Sequence, residues 1–369
     1  MKAKVALAGV GGYGYNYVEN LCRMAENDGI ELVAAAEFSP EKWQDRIEKL
    51  QNHNVKIVKD ASELYDLGVE FDLVCLPVGI ESHEPLTIQA LEHNCNVMVE
   101  KPLAGSLSAV ENMITARNKT DRFIAVGYQH FYEPALQKAK ELLLSGKLGK
   151  IQKIKLMGRW PRGDAYYSRN YWAGKIFGRH SQILDSPYCN AFAHYINIVL
   201  YLAGKNRDEA ATPQLTAAEL SRSRDIENFD TGIVRFNADD IPVTAMLTHC
   251  CPEPSAPQIL FTCEKGSVYY NESDSWKVLD ASGNAFPEFD VPCAANHSNM
   301  FNTVIKRITD STQRICTPEI AVKHVMLMEE LYKKAEVKTL SPEQYAINEK
   351  GVRLNKGIAE EWDAFFTTL

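Results

Sequence analysis

The feature that most constrains the fold is a series of short apolar runs, without polar alternation, in the first third of the chain. The runs are bounded by charge, glycine or proline, and they read "KVALAGVGG" from Lys4, "ELVAAAEF" from Glu31, "FDLVCLPV" from Phe71 and "CNVMVEK" from Cys95. Uninterrupted apolar character is typical of strands that are covered on both faces, as in a parallel sheet. Helical stretches separate the runs, so the pattern predicts βαβ units.

The hydrophobic pattern changes after residue 122. "KIQKIKLMG" from Lys150 and "PVTAMLTH" from Pro242 alternate polar and apolar residues, and "QILFTCEKGSVYYN" predicts a hairpin that turns between Glu264 and Ser267. Such strands indicate an antiparallel sheet. We therefore expect an α/β protein with a doubly wound parallel sheet in residues 1–122. An α+β domain with a large, mostly antiparallel sheet would follow in residues 123–337, and residues 338–369 would form an extension that packs on the body.

The composition of the chain disfavours several classes of binding partner. The formal charge of −8 disfavours nucleic acid and anionic membranes, because binding to phosphate backbones depends on Lys and Arg. No stretch is typical of a signal peptide or a membrane span, so we expect a cytoplasmic protein. The nine cysteines include no Cys-x-x-Cys pair. This usage favours buried, reduced thiols over disulfides, and no metal site is expected.

A glycine loop follows the first predicted strand. Gly9, Gly11 and Gly14 form a G-x-G-x-x-G motif that opens a helix, and Glu37 follows at the tip of the next apolar run. This context is typical of the Rossmann dinucleotide-binding fold, in which the loop with Gly12 and Tyr13 would hold a diphosphate at the helix N-terminus. Glu37 would bind the adenosine ribose and repel a 2′-phosphate, which favours NAD over NADP. The alternative is a nucleotide-free sheet whose glycines serve packing.

With this loop, "CLPVGIESHEPLTIQALEHNCNVMVEKPLAG" from Cys75 and "CTPEIAVKHV" from Cys316 resemble the Gfo/Idh/MocA family of oxidoreductases, which includes sugar and polyol dehydrogenases. The likeness extends to about residue 337. It implies that Lys101 reaches the reacting hydroxyl beside the nicotinamide, that Glu100 lies near the cofactor and that the Lys101–Pro102 bond is cis. It also implies a homodimer or homotetramer, and it assigns positions near cofactor or substrate to Pro77, His83, Tyr128 and Gln129.

In the family, an Asp usually stands four residues before a His on a helix of the second domain. The matching stretch, "CNAFAHYINIVLYLAG" from Cys189, has His194 but carries Asn190 at the position of the acid. An amide cannot take a proton, so His194 and Lys101 are the candidate general bases and Asn190 would bind substrate or hold His194. On a regular helix, residues 190 and 194 would share one face. Asp185 is expected to cap this helix; the alternative for His194 is a core histidine.

A segment dense in arginine and aromatic residues, "RWPRGDAYYSRNYWAGK", begins at Arg159. Flat rings suit the C–H faces of sugars, and guanidinium groups suit hydroxyls or carboxylates. Arg162, Tyr166 and Arg169 are therefore candidate substrate ligands, and their charge would suit an acidic or phosphorylated sugar. The alternative is a surface loop that is packed by its own aromatic side chains.

Together these features predict an NAD-dependent oxidoreductase. It would transfer hydride between the nicotinamide and a secondary hydroxyl or keto carbon of a sugar, polyol or sugar derivative. Because the usual acid is missing, two alternatives stay open. One is an NAD-using glycosidase that acts by transient oxidation and elimination, and the other is a non-catalytic protein of the same fold that senses sugar or NAD.

Overall fold

The computed structural model describes residues 2–272, 275–287, 289, 297–355 and 358–367. The chain forms two compact units. The first unit comprises Met1–Glu133 and Ala295–Pro318, and the second comprises Pro134–Ala294 and Glu319–Leu369. The structure thus groups residues 123–133 and Ala295–Pro318 with the first unit. The sequence pattern instead divides the chain at residues 122 and 337.

The first unit is built on a six-stranded parallel sheet in the order β3-β2-β1-β4-β5-β6. This is the strand order of the doubly wound dinucleotide-binding fold, so the prediction for this part of the chain is confirmed. With numbering along the whole chain, its strands and helices are β1 Ala3–Ala8, α1 Gly14–Glu26, β2 Ile30–Ala36, α2 Gln44–Asn52, β3 Lys56–Val58, β4 Leu73–Leu76, α3 Ile80–Glu92, β5 Asn96–Val99, α4 Leu107–Arg117, β6 Ile124–Val126 and α8 His297–Arg307.

The central strands of this sheet are buried along their length, as their continuous apolar character predicts. Every residue of β4 and β5 is buried, and so are the last four residues of β1. The strand order reverses between β1 and β4, and at such a switch point the loops that leave the carboxyl ends of the strands diverge and open a crevice. The glycine loop after β1 lies at this point.

The second unit is built on an eight-stranded sheet in the order β13-β12-β11-β7-β10-β9-β8-β14. Most of its pairs are antiparallel, as predicted; β7 with β10 and β8 with β14 are parallel. The β11–β12 hairpin pairs Cys263 with Gly266, so it turns within the predicted segment. The elements are α5 Pro134–Leu144, β7 Ile151–Arg159, α6 Asp164–Ser168, α7 Ala193–Ala203, β8 Pro213–Arg222, β9 Thr231–Ala238, β10 Ile241–Thr248, β11 Ser255–Cys263, β12 Gly266–Asn271, β13 Ser275–Asp280, α9 Pro318–Lys334, β14 Val337–Thr339, β15 Tyr345–Ile347, β16 Arg353–Asn355 and α10 Ile358–Thr367.

The helix that carries His194 is shorter than the sequence predicts. Pro187–Ala191 forms one turn of π-helix, and the α-helix begins only at Ala193. The regular-helix spacing of residues 190 and 194 therefore does not apply. The predicted cap is also wrong, because Ser186, not Asp185, accepts the hydrogen bond from Cys189 N at the start of the π-turn.

The C-terminal helix α10 packs on one face of the eight-stranded sheet. Trp362 and Phe366 form a buried cluster with Met157 of β7 and Met246 of β10. Residues from strands on either side, Ile233, Leu260 and Tyr269, pack around this cluster. None of the helices in the described ranges has the length and apolar character that crossing a membrane requires.

We expect Trp362→Ala to lower the free energy of unfolding of the second unit by about 3 kcal/mol, because it empties a buried site on the sheet. Trp362 is 2% exposed, whereas Phe365 on the same helix is 39% exposed. Phe365→Ala is therefore the matched control, with an expected loss of less than about 1 kcal/mol. Urea unfolding followed by circular dichroism measures both, and equal losses would contradict the packing role of α10.

Candidate functional site

The glycine loop has the backbone geometry that its spacing predicts. Gly9 has φ +92° and Gly12 has φ +50°, conformations that side chains disfavour. The Gly9 N–H donates to Ala36 O at 2.8 Å, which ties the loop to the end of β2. A Cβ at Gly14 would lie 2.6 Å from Gly9 O, so only glycine permits this approach of α1 to β1.

The two middle glycines have different surroundings. A Cβ at Gly11 would lie 2.9 Å from the indole Nε1 of Trp43, so this glycine makes room for a packed ring. At Gly12 no atom lies within 4 Å of a Cβ position among the described residues. The backbone at Gly12 is therefore the part of the loop that a ligand can approach most closely, beside the partial positive charge of the N-terminus of α1.

A cavity of 500 Å³ opens beside this loop. Its wall includes the glycine loop, the end of β2 and the segment after β4 that begins with Pro77, with Gly9, Gly12 and Glu37 among the lining residues. Gly9, Gly11, Gly12, Glu37 and Pro77, five residues predicted to bind cofactor, are thus brought together here. A dinucleotide fits this donor set, because open backbone at a helix N-terminus suits a diphosphate and a carboxylate suits a ribose.

Glu37 is held in place by backbone donors. Its Oε2 accepts a hydrogen bond from Val10 N at 2.9 Å, and its Oε1 accepts one from Ser39 N at 3.0 Å. These contacts fix the carboxylate on the cavity wall and leave each oxygen a further lone pair for a ligand hydroxyl. Phe38 beside it is 84% exposed and also lines the cavity.

Two residues of this site were not identified from the sequence: Trp43 and Arg46. Arg46 Nη1 donates to Val10 O at 2.5 Å and lies 3.3 Å from Gly12 O. Its guanidinium stacks 4.4 Å from the Trp43 ring centroid. No carboxylate of the described residues pairs with Arg46, so a positive charge stays beside the glycine loop. Neither residue belongs to a motif, and their contact with the loop arises from the tertiary structure alone.

The Glu100-Lys101-Pro102 triplet lies at the carboxyl end of β5. Glu100 is 5% exposed, and its carboxylate accepts hydrogen bonds from Tyr17 Oη at 2.8 Å and from Lys101 N at 3.0 Å. Burial raises the pKa of Glu100, and the Lys101 charge opposes that rise. Glu100 thus anchors α1 to β5; its contact with the cofactor stays a prediction. Lys101 is half-buried, and the Lys101–Pro102 bond is cis.

His83 is 1% exposed and contacts three backbone carbonyls. Its Nδ1 lies 3.0 Å from Pro102 O and 3.2 Å from Leu103 O, and its Nε2 lies 3.1 Å from Val78 O. Burial lowers the pKa of His83, so the neutral ring donates on one side only. These contacts join the segment after β4 to the turn that follows Lys101. The ribose contact that the resemblance implies stays a prediction.

Tyr13 and Gln129 are brought together in the first unit. Tyr13 Oη donates to Gln129 Oε1 at 3.1 Å and lies 2.5 Å from His297 Nε2. His297, which the sequence did not suggest, thus lies against the glycine loop. Tyr128, the other residue assigned from this segment, has its side chain buried in the core. Roles of Tyr13, Tyr128 and Gln129 in binding cofactor or substrate stay predictions.

In the second unit, Asn190 is paired with the acid that was expected to cap the helix. Asn190 Nδ2 donates to Asp185 Oδ1 at 3.0 Å, and Asp185 Oδ2 accepts from Gly174 N at 2.7 Å. Because a carboxylate only accepts, this pair orients the amide and turns Asn190 Oδ1 away from Asp185. His194 is half-buried and is the second residue of α7. Its role as a base stays a prediction.

The arginine-rich segment forms a stack around Tyr166. The guanidinium carbons of Arg169 and Arg162 lie 3.4 Å and 5.0 Å from the Tyr166 ring centroid. All three predicted ligands of this segment are therefore neighbours. His249 lies against the same ring with its centroid 5.5 Å away, and its Nδ1 is 3.0 Å from Tyr167 Oη.

His249 is neutral in this environment. Burial, and then the charges of Arg162, Arg224 and Arg169, hold its pKa well below the usual value. Among the described residues, no three His, Cys, Asp or Glu side chains are grouped to hold a metal ion.

We expect the free energy of unfolding to fall as the pH drops below about 6.5, the pKa of an unfolded histidine. Below that pH the unfolded chain binds a proton that buried His249 does not, at a cost of up to about 1.4 kcal/mol per pH unit. His249→Gln should reduce this slope. Urea unfolding at several pH values tests it, with His93→Gln, an exposed histidine, as the control. An unchanged slope in His249→Gln would refute the assignment.

Comparisons with known proteins agree with this geometry. Residues 3–128 match the model of the Gfo/Idh/MocA oxidoreductase family, described as having an NAD-binding Rossmann fold. The chain is 28% identical over 159 residues to the myo-inositol 2-dehydrogenase of Thermotoga maritima, covering 43% of this chain and 46% of the relative. It is 29% identical over 146 residues to the inositol 2-dehydrogenase of Rubrobacter xylanophilus, covering 39% and 40%. These alignments span less than half of the relatives' length.

Solved structures share the fold over nearly the whole chain. The WlbA dehydrogenase of Bordetella pertussis, in complex with NADH and UDP-GlcNAcA, superposes with a TM-score of 0.74 at 20% identity and covers 91% of this chain and 97% of that one. Levoglucosan dehydrogenase in complex with NADH gives 0.74 at 15% identity and covers 91% and 97%. Residues 3–128, which lie in the first unit, thus resemble the NAD-binding Rossmann part of the Gfo/Idh/MocA oxidoreductases, and the solved structures show the same fold for nearly the whole chain.

Proposed function

We propose that this protein is an NAD-dependent dehydrogenase that acts on a secondary hydroxyl or keto carbon of a sugar, polyol or sugar derivative. The observation that carries the proposal lies within the first unit. Lys101 stands at the carboxyl end of β5, in the same sheet whose switch point bears the glycine-loop cavity. The named relatives support the substrate class, since two of them are inositol 2-dehydrogenases.

Residues of the cavity hold the cofactor in this proposal. The open backbone at Gly12, the N-terminus of α1 and the charge of Arg46 bind the diphosphate. Glu37 accepts hydrogen bonds from the adenosine ribose, and its charge disfavours the 2′-phosphate of NADP. The bound nicotinamide supplies the hydride acceptor or donor.

The protein's own part in the reaction is to position the carbinol and to move its proton. Lys101 binds the reacting hydroxyl, with its backbone fixed through Glu100 and with the following turn held by His83. Either Lys101 or His194 takes the hydroxyl proton, because Asn190 cannot. In this proposal Asn190, whose amide Asp185 orients, binds the substrate or holds His194.

A library of sugars, sugar acids and polyols, incubated with NAD, tests the proposal by the absorbance of reduced cofactor. Net accumulation of NADH supports a dehydrogenase. Release of a leaving group from a glycoside with no net NADH identifies the glycosidase alternative. Binding of NADH without turnover of any compound identifies a sensor, and both latter outcomes would overturn the proposal.

Lys101→Met should reduce kcat at least about 1,000-fold while NADH binding, followed by nicotinamide fluorescence, changes less than about threefold. The substitution removes the ammonium group but keeps the length of the side chain. Lys119→Met, at an exposed position of the same unit, is the control and should leave both quantities unchanged. Full turnover in Lys101→Met would remove this lysine from the mechanism.

Glu37→Ala should weaken NAD binding about tenfold and NADP binding much less, because only NAD has the free 2′-hydroxyl that the carboxylate accepts from. Calorimetric titration of both cofactors gives the ratio of the two dissociation constants. Glu37→Gln, which keeps the side-chain shape, separates the loss of charge from disturbance of the Val10 and Ser39 contacts. If the ratio stays at its wild-type value in both variants, Glu37 does not select the cofactor.

A further inference from the structure

Two arginines of the second unit carry charges that the described part of the chain does not neutralise. Arg169 Nη1 donates to Tyr166 O at 2.7 Å, and Arg162 Nη1 donates to Pro161 O at 3.2 Å. No carboxylate of the described residues forms an ion pair with either one. Arg162 Nε is buried and has no hydrogen-bond partner among these residues. Each guanidinium group therefore keeps donors that the fold does not use.

Arg224, which lies near the same side chains, differs from Arg162 and Arg169 because carboxylates pair with it. It forms ion pairs with Asp164 at 3.1 Å and with Asp230 at 3.6 Å, and it stacks 4.3 Å from the Tyr167 ring centroid. All three arginine charges act on His249 and help to keep it neutral. The local potential is thus positive, and its two uncompensated sources are Arg162 and Arg169.

Two acidic side chains near the Tyr166 stack, Asp185 and Asp164, interact with groups other than Arg162 and Arg169. Asp185 is close enough to Tyr166 for its charge to raise the pKa of the tyrosine. Its two carboxylate oxygens accept hydrogen bonds from Asn190 and Gly174. Asp164 is taken by Arg224 and also by Arg353. Arg169 is exposed and Arg162 is half-buried, so an anion from solvent can reach the guanidinium groups that no described carboxylate pairs with.

The surroundings of the two guanidinium groups suit a sugar. Arg162 lies 5.8 Å from the ring centroid of Trp160, which itself stacks on Phe192 at 4.6 Å. Arg169 lies 5.0 Å from the ring centroid of Trp172. Rigid aromatic faces beside fork donors can accept the C–H face of a sugar ring and its charged substituent together.

We propose that the substrate carries an anionic group, a carboxylate or a phosphate, and that Arg162 and Arg169 bind this group. The inference rests on the proposed function in that it takes the substrate to be sugar-like. Planar carboxylates and tetrahedral phosphates both accept two parallel hydrogen bonds from a guanidinium fork. Both guanidinium groups lie against the Tyr166 ring, with their carbons 5.0 Å and 3.4 Å from its centroid, so both are neighbours of one aromatic side chain.

Calorimetric titration of the NADH-loaded protein tests the proposal with matched sets: glucose, glucuronate and glucose 6-phosphate, and then the same three forms of galactose. We expect at least one charged form to bind tenfold or more tightly than its neutral parent. Tighter uronates identify a carboxylate, and tighter phosphate esters identify a phosphate. If no charged form in either set exceeds its parent tenfold, the proposal is wrong.

Variants assign the effect to the two arginines. Arg162→Gln and Arg169→Gln should each reduce the charged-to-neutral binding ratio about tenfold, and Arg162→Lys should recover only part of it, because an ammonium lacks the fork. Arg179→Gln is the control, since Arg179 stacks on a different ring of the same region, 4.3 Å from the Tyr171 centroid. Unfolding temperatures confirm that each variant is folded. A ratio that survives in both arginine variants would refute the assignment.

These titrations measure binding and not turnover, so they separate the anion-site proposal from the dehydrogenase proposal. If the charged compounds bind through Arg162 and Arg169 but none produces NADH, the dehydrogenase proposal fails and the anion site stands. If neutral sugars are oxidised and the charged forms show no advantage, the anion site fails and the dehydrogenase proposal stands.

Discussion

The buried carboxylate of Glu100 is the interaction on which the first unit's candidate site depends. A carboxylate removed from water is costly unless donors satisfy it, and here the hydroxyl of Tyr17 and the backbone of Lys101 do so. Tyr17 belongs to α1, the helix that the glycine loop opens, and Lys101 begins the turn after β5. One buried group therefore holds together the helix that follows the glycine loop and the start of the turn that carries Lys101.

A second constraint acts at the same edge of the sheet. Gly127, which follows β6, has no room for a side chain, since a Cβ there would lie 2.7 Å from Glu100 Oε1. His83 then ties the turn after Lys101 to the segment that follows β4. Three successive strand ends are joined through polar contacts whose atoms have little access to water. Such contacts are strongly orientation-dependent, so they constrain the relative positions of these strand ends.

In the second unit, one residue differs from the pattern of the family that the sequence resembles. Where the family usually has an acid, Asn190 has an amide, and the nearby acid Asp185 holds that amide. Asp185 is 2% exposed and supplies the carboxylate at this point of the second unit. A buried carboxylate thus orients the amide of Asn190, and Arg162 and Arg169 in the same unit have no ion pair with a carboxylate of the described residues.

The sequence by itself determined the doubly wound sheet, the antiparallel second sheet and the positions of Gly9, Gly14 and Glu37. Periodicity and glycine spacing are local properties, and local sterics dictate their outcome. Only the tertiary structure decided that Trp43 fills the space beside Gly11, that Arg46 lies against the glycine loop and that His83 lies between carbonyls of two segments. It also replaced the predicted cap Asp185 with Ser186 and broke the helix before His194. These outcomes depend on contacts between residues far apart in the chain, or on competition for one buried hydrogen bond, and neither leaves a periodic signal in the sequence.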